Sequence, residues 1–222
     1  MNERQAKFSI KGELLYLLPE RCIYWPCQKA LLLSDLHLGK AGHFRKAGIP
    51  VSAQIHLEDL ARLSTVLVAN PVERVLILGD LFHSEMNREF AAWCSWLDQH
   101  QYLQCTLVAG NHDQLTLQEL SEVMEVKEVE YVGPFALVHN PLEVKLKAGY
   151  YPISGHLHPG ITLSGKGRQS LSLPCFYFGK NGGVLPAFGN FTGLHRLRPA
   201  KGDQVFAITK EKVYSFSGLF ER

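Results

Sequence analysis

No Cys-x-x-Cys pair occurs in these 222 residues, and the five cysteines (Cys22, Cys27, Cys94, Cys105, Cys175) are odd in number and widely spread. That argues against a disulfide framework and a cysteine zinc site, and leaves the thiols as reduced packing residues. No apolar run approaches the roughly 20 residues that cross a bilayer. The first residues, Met1-Asn2-Glu3-Arg4-Gln5, lack the basic-then-apolar layout of a secretory signal, so the expected location is the cytoplasm. Strong charge of either sign is missing as well. A net charge of +2 makes no field from which nucleic-acid binding follows. Repeats of solenoid period, low-complexity tracts and linkers are also missing. With 46% hydrophobic residues to supply a core, the chain reads as one domain, residues 1–222.

What is present is one pattern used five times. The apolar run Ala30-Leu31-Leu32-Leu33 opens into Ser34-Asp35-Leu36-His37-Leu38-Gly39, and Val75-Leu76-Ile77-Leu78 ends in Gly79-Asp80-Leu81-Phe82-His83. Thr106-Leu107-Val108-Ala109 ends in Gly110-Asn111-His112-Asp113, and Phe135-Ala136-Leu137-Val138 runs into His139. Tyr151-Pro152-Ile153-Ser154 is followed by Gly155-His156-Leu157-His158. Short apolar runs bounded by glycine read as buried strands. Each therefore delivers Asp, His or Asn at the sheet edge where ligands bind in α/β proteins. Asp35 and His37 are two apart, so on an extended segment they point to the same side.

Between these runs the spacing predicts helices over residues 52–69, with Ser52 as N-cap, over 88–100, and around 115–124. Further strands are expected at 8–10, 13–18, 22–25, 171–173, 175–178, 205–209 and 213–216. Two sheets face to face with helices outside fit this order of elements, although the strand order within each sheet does not follow from it.

The collected set is Asp35, His37, Asp80, Asn111, His139, His156 and His158. Imidazole and carboxylate ligands without thiolate suit Mn, Fe, Zn or Ni. Seven ligands are too many for one tetrahedral ion but fit two metals sharing a bridging carboxylate. Taken singly, an aspartate after a strand is as readily a helix cap or turn residue. Convergence of the whole set is what marks a site.

These five motifs, in this order, resemble the blocks of the calcineurin-like metallophosphoesterases. The resemblance implies an α/β sandwich of two mixed β-sheets flanked by helices. It implies two divalent metal ions, manganese foremost. Asp35, His37, Asp80 and His158 would hold one ion, and a bridging Asp80 with Asn111, His139 and His156 the other. One departure is His83, standing where many relatives carry an acidic residue or arginine. Residues 35–45, 79–84, 155–159 and 185–193 further resemble the ligase-associated DNA damage response phosphoesterases. That branch implies a phosphodiester substrate, DNA, cut by an endonuclease functioning in repair with a DNA ligase and a helicase.

In the expected mechanism a bridging hydroxide attacks phosphorus in a net positive, water-poor centre. His112, beside a ligand but not required as one, would protonate the leaving group, and Asp113 would orient its ring. His43 and Arg45 would contact substrate phosphate, or else belong to a solvated loop. His83 would touch the site or serve the surface. Arg196, Arg198 and Lys201 form a basic cluster that reads more readily as a solvated turn than as a nucleic-acid track. Trp93 and Trp96 read as packing residues. The same metal centre also serves nucleotide or lipid-sugar pyrophosphatases and phosphomonoesterases, and a metal-bound scaffold for repair partners is the non-enzymatic alternative.

Overall fold

The computed structural model describes residues 3–40, 55–83, 88–113, 117–165, 169–190 and 192–216. Its first sheet runs β1 (Ala6–Ile10), β2 (Glu13–Leu18), β3 (Cys22–Trp25), β4 (Ala30–Leu33), β5 (Arg74–Leu78), β6 (Gln104–Val108) and β7 (Glu125–Lys127), in that spatial order. β1 to β4 are antiparallel meanders, and β4 to β7 are parallel. The parallel half is reached through α1 (Ile55–Ala69), α2 (Arg88–Gln99) and α3 (Leu117–Val123).

The second sheet contains β8 (Glu130–Val132), β9 (Phe135–Val138), β10 (Tyr151–Ser154), β11 (Pro159–Ser164), β12 (Ser170–Gly179), β13 (Gly182–Val184), β14 (His195–Arg196), β15 (Gln204–Ile208) and β16 (Val213–Ser215). It too is mixed: β9, β10 and β13 run parallel, whereas β12 is antiparallel to β11, β13 and β15.

Alternation of side chains along the strands sorts the first sheet into two buried faces. Leu32, Leu76, Leu78 and Val108 face the second sheet, meeting Phe135, Leu137, Ile153, Phe176 and Phe206. Leu31, Leu33, Val75, Ile77 and Leu107 face the helices, meeting Leu60, Leu63, Leu67, Trp93 and Leu120. Trp93 and Trp96 are buried and stacked at 5.1 Å between centroids, which confirms them as packing residues. The described helices all lie on the first sheet. The outer face of the second is covered by a small cluster of Ile161, Cys175, Val205 and Ala207. Flanking by helices is thus one-sided among the described residues.

Register is what brings the motifs together. Leu33 pairs with Ile77 and Leu78 with Val108, so Asp35, Asp80 and Asn111 leave one edge of the first sheet. Val138 pairs with Ser154, so His139 and His156 leave the second sheet side by side. The His139 ring then crosses between sheets, its Nδ1–H donating to the Leu78 carbonyl at 3.0 Å.

Sequence expectations of two strands at 171–173 and 175–178 merge into the single β12. Pro174 marks the point where β12 changes partner from β11 to β15, so its missing N–H breaks no ladder. All five cysteines are free. Burial pushes the Cys105 and Cys175 thiols up to about 12, which keeps them unreactive.

Candidate metal centre and active site

The chain leaves β4 and β5 as two parallel loops hydrogen-bonded to each other. The Asp35, His37 and Leu38 amides donate to the carbonyls of Gly79, Asp80 and Leu81 at 3.1, 2.9 and 2.8 Å. Along these loops Asp35, His37 and Asp80 take left-handed backbone, with φ of 52, 48 and 49°. His156 and His158 do the same, at 68 and 48°. Left-handed φ at non-glycine residues is uncommon and costs roughly 1–3 kcal/mol each, so it persists where the surrounding structure holds it and clusters at functional sites. Asp35 and His37 do converge, but through left-handed turns rather than through the alternation of the extended segment that their spacing suggests.

Glycines make room for the ligands. A Cβ on Gly79, itself at φ 76°, would strike the His139 ring, and one on Gly110 would strike the Asp80 carboxylate. A Cβ on Gly155 would lie 2.6 Å from Asp35 Oδ2. These three positions require glycine because a candidate ligand occupies the space of a side chain.

Two groups of donors result. Asp35, His37 and His158 form one, and Asp80, His139 and His156 the other. In the first, His158 Nε2 lies 3.3 Å from Asp35 Oδ1 and 3.4 Å from His37 Nε2. In the second, His139 Nε2 lies 3.1 Å from His156 Nδ1 and 3.5 Å from Asp80 Oδ1. Two ligands each about 2 Å from one ion present such spacings. The other Asp80 oxygen faces the first group, 3.8 Å from His37 Nε2. The two histidines of His156-Leu157-His158 therefore divide between the groups, while Asp80 borders both.

Protonation suits metal binding. Because the Leu78 carbonyl takes the Nδ1 proton of His139, the Nε2 lone pair faces the second group. Burial, then the positive charges of Lys40, His158, His83 and His112, push His37 down to about 2, so its imidazole is neutral. Asp35 is buried and accepts the His156 amide at 3.2 and 3.1 Å through its two oxygens.

His112 is exposed at the rim, and its amide donates to Asp80 Oδ1 at 3.0 Å. Its ring centroid lies 5.4 Å from that of His37 and 5.1 Å from that of His83, which places His83 beside the site. Asn111 donates Nδ2–H to Glu143 Oε1 at 3.3 Å, a bond that leaves the acceptor lone pairs of its Oδ1 unused. Asp113 is fully buried. Its Oδ1 accepts the amides of Leu81 and Phe82 at 2.9 and 3.3 Å, and its Oδ2 accepts that of Gly110 at 2.9 Å. The sequence reading placed this carboxylate against the His112 ring; these contacts place it on the peptide groups flanking Asp80 and Asn111. Burial raises its pKa, opposed by the Gly110 amide, and the Asp80 charge raises it further.

His43 and Arg45 lie outside the described residues. Arg196, Arg198 and Lys201 are all exposed. Two residues of the site escaped the sequence reading. Lys40 stands close enough for its charge to act on Asp35, Asp80 and His37, and burial lowers its pKa. It directly follows the Asp35 motif, a signal that was there to use. Glu143, in the loop after His139, has no such signal.

Residues 29–212 match the calcineurin-like phosphoesterase family. The search of curated proteins found no match. Among solved structures, the nuclease MPE of Pseudomonas putida is similar at 32% identity, covering 96% of this chain and 100% of that one, with a TM-score of 0.81. A protein of Aquifex aeolicus, AQ665, matches at 16% identity over 86% of this chain and 96% of its own, with a TM-score of 0.42. No helix among the described residues is long and apolar enough to cross a membrane. Sequence match and donor geometry lead to the same place, and the chain belongs to the calcineurin-like phosphoesterases, hydrolases of phosphoric ester bonds.

Proposed function

We propose that the protein is a metal-dependent phosphodiesterase that cuts DNA, working with two divalent ions, manganese first among them. The observation that carries two ions rather than one is Asp80, whose oxygens face separate histidine-bearing groups. When bound, such ions supply Lewis acidity to the phosphoryl oxygens and an activated hydroxide near neutral pH.

The remaining work falls to side chains. Asp35, His37 and His158 would hold one ion, and Asp80, Asn111, His139 and His156 the second, with Asp80 shared. Only two of these ligands are charged, so the occupied centre stays positive and favours an anionic phosphoryl group. His112, tied to Asp80 only through its backbone, has a ring free to protonate the leaving alkoxide. Asp113 holds the loops that carry Asp80 and Asn111, through the amides of Leu81 and Gly110. Lys40 adds a cation whose charge reaches Asp35 and Asp80.

DNA as substrate is supported by the likeness to the Pseudomonas putida nuclease. The role in repair as an endonuclease, with a DNA ligase and a helicase as partners, rests on the resemblance of residues 35–45, 79–84, 155–159 and 185–193 to the ligase-associated branch. Purified protein loaded with Mn²⁺, offered a generic diester, a monoester, a nucleotide pyrophosphate, and nicked, single-stranded and duplex DNA, tests the reading. Cleavage of the diester and of DNA is expected, lost in His112→Ala. Activity confined to monoesters or pyrophosphates would overturn it.

A further inference from the structure

On the far side of the loop at 187–190 lies a cavity of about 790 Å³ that the metal centre does not use. That size falls in the ~300–1,000 Å³ range of small-molecule sites. Four cations line it, Arg4, Arg21, Arg62 and Lys210, against one carboxylate in the wall, Glu20. Asp59 stands behind, bound to Arg62 at 2.9 Å and to the Asn190 amide group at 2.8 Å. Leu171, Leu173 and Pro174 of β12 give the cavity an apolar side.

Arg21 is the informative residue. Arg62 is consumed by the fold, through Asp59, the Asn190 side chain, the Phe188 carbonyl and the face of the Phe188 ring. Arg4 lies 3.6 Å from Glu20. Arg21 is part-buried yet makes no ion pair among the described residues; its one hydrogen bond there is to the Gly189 carbonyl at 3.3 Å. Its guanidinium therefore keeps donors open to a ligand in the cavity. Its backbone is also left-handed, φ 67°, in the turn between β2 and β3. Burial and the Arg62 charge lower its pKa, and the Asp59 carboxylate behind the wall offsets only part of that.

The cavity is two hydrogen bonds from the metal centre. Arg21 binds the Gly189 carbonyl, and the Gly189 amide donates to the carbonyl of Asp35 at 3.1 Å. A Cβ at Gly189 would collide with the Leu36 peptide, so glycine lets this loop press onto the backbone carrying the ligand.

We propose that this cavity is a second phosphate site, taking a nucleoside phosphate with its phosphate on Arg21 and its sugar or base against Leu171, Leu173 and Pro174. The DNA strand beyond the scissile bond is its source. The phosphate chemistry stands on the cavity, and only the strand as source rests on the nuclease reading.

Calorimetric titration of the whole chain, metal-loaded and after chelation, separates these points. The probes are inorganic phosphate, thymidine 5′-monophosphate and a single-stranded 12-mer. Arg21→Gln should weaken mononucleotide binding to the chelated protein about tenfold, as loss of a charge-assisted bond does. Leu171→Asp, at an exposed position that leaves folding alone, should weaken it likewise. Lys180→Gln, at the opposite end of β12, should bind as wild type does. With the strand as source, Arg21→Gln also lowers the salt dependence of 12-mer binding by about 0.7 in log K against log salt. An unchanged 12-mer slope with weakened mononucleotide binding would overturn the strand and leave a free nucleotide. Wild-type binding of every probe by both Arg21→Gln and Leu171→Asp would overturn the site. These readouts need no turnover, so a protein that cuts no DNA can still show the site.

Discussion

Asp80 Oδ1 lies 3.5 Å from His139 Nε2, while its second oxygen faces His37. The proposed sharing of this carboxylate between two ions predicts a specific failure. Asp80→Asn replaces one ligating oxygen by an amide nitrogen that cannot bind a cation. Metal content, read by elemental analysis after gel filtration, should fall from two ions per chain to one or fewer. Diester turnover should fall about 100-fold or more, the scale of a disrupted metal site. Two ions retained at wild-type affinity would show that Asp80 does not bridge.

His112 touches Asp80 through its main chain alone, so its ring can be removed without removing that hydrogen bond. His112→Ala should keep both metals and the wild-type melting temperature. Its turnover should drop roughly 10²–10⁴-fold on a diester with a poor leaving group, the usual worth of general acid catalysis. On an activated aryl diester, whose leaving group needs no proton, the loss should be much smaller. Equal losses on both substrates would assign His112 to binding rather than to proton transfer.

The six donors of the two groups were legible because each follows an apolar run, and burial of that run settles which edge its end reaches. β4 and β9 match expectation at both ends for this reason. What was not legible lies where neighbours decide. The division of His156 and His158 between two groups follows from left-handed backbone, which no periodicity encodes. β7 was missed because it is a short edge strand with mostly exposed or half-buried residues, and β14 because it is two exposed residues completing the edge of a ladder. Nothing in the sequence marks Arg21, whose place beside a cavity depends on the packing of Gly189.

His37 is neutral in the fold because burial and nearby cations disfavour its charged form, with a pKa of about 2. In the unfolded chain the same group protonates near 6.5. As pH falls below 6.5 the unfolded state therefore gains a proton that the native state lacks, and stability is lost. For one such group the slope is about 1.4 kcal/mol per pH unit. Urea unfolding of the chelated protein at pH 7, 6 and 5 should show this decline, and His37→Gln should flatten it. A bound divalent ion competes with the proton, so metal-loaded protein should keep its stability to lower pH. A decline of equal slope in His37→Gln would assign the effect to other histidines.

Glu143 supplies a last test, because it touches a proposed ligand, Asn111, rather than either donor group. Its Oε1 accepts from Asn111 at 3.3 Å and from Asn140 at 2.9 Å, so one oxygen holds two amides. Fixing the nitrogen of Asn111 fixes where its oxygen points. Outer partners of this kind are worth about 10–100-fold in metal affinity. Glu143→Ala should weaken the ion held with His139 and His156 by about tenfold and leave the ion held with His37 and His158 as tight as before. Glu143→Gln keeps an acceptor oxygen and should restore most of the loss, which a general effect of charge would not allow. Manganese titration with two resolved affinities reads the split directly. Equal affinities in Glu143→Ala and wild type would remove Asn111 from the ligand set.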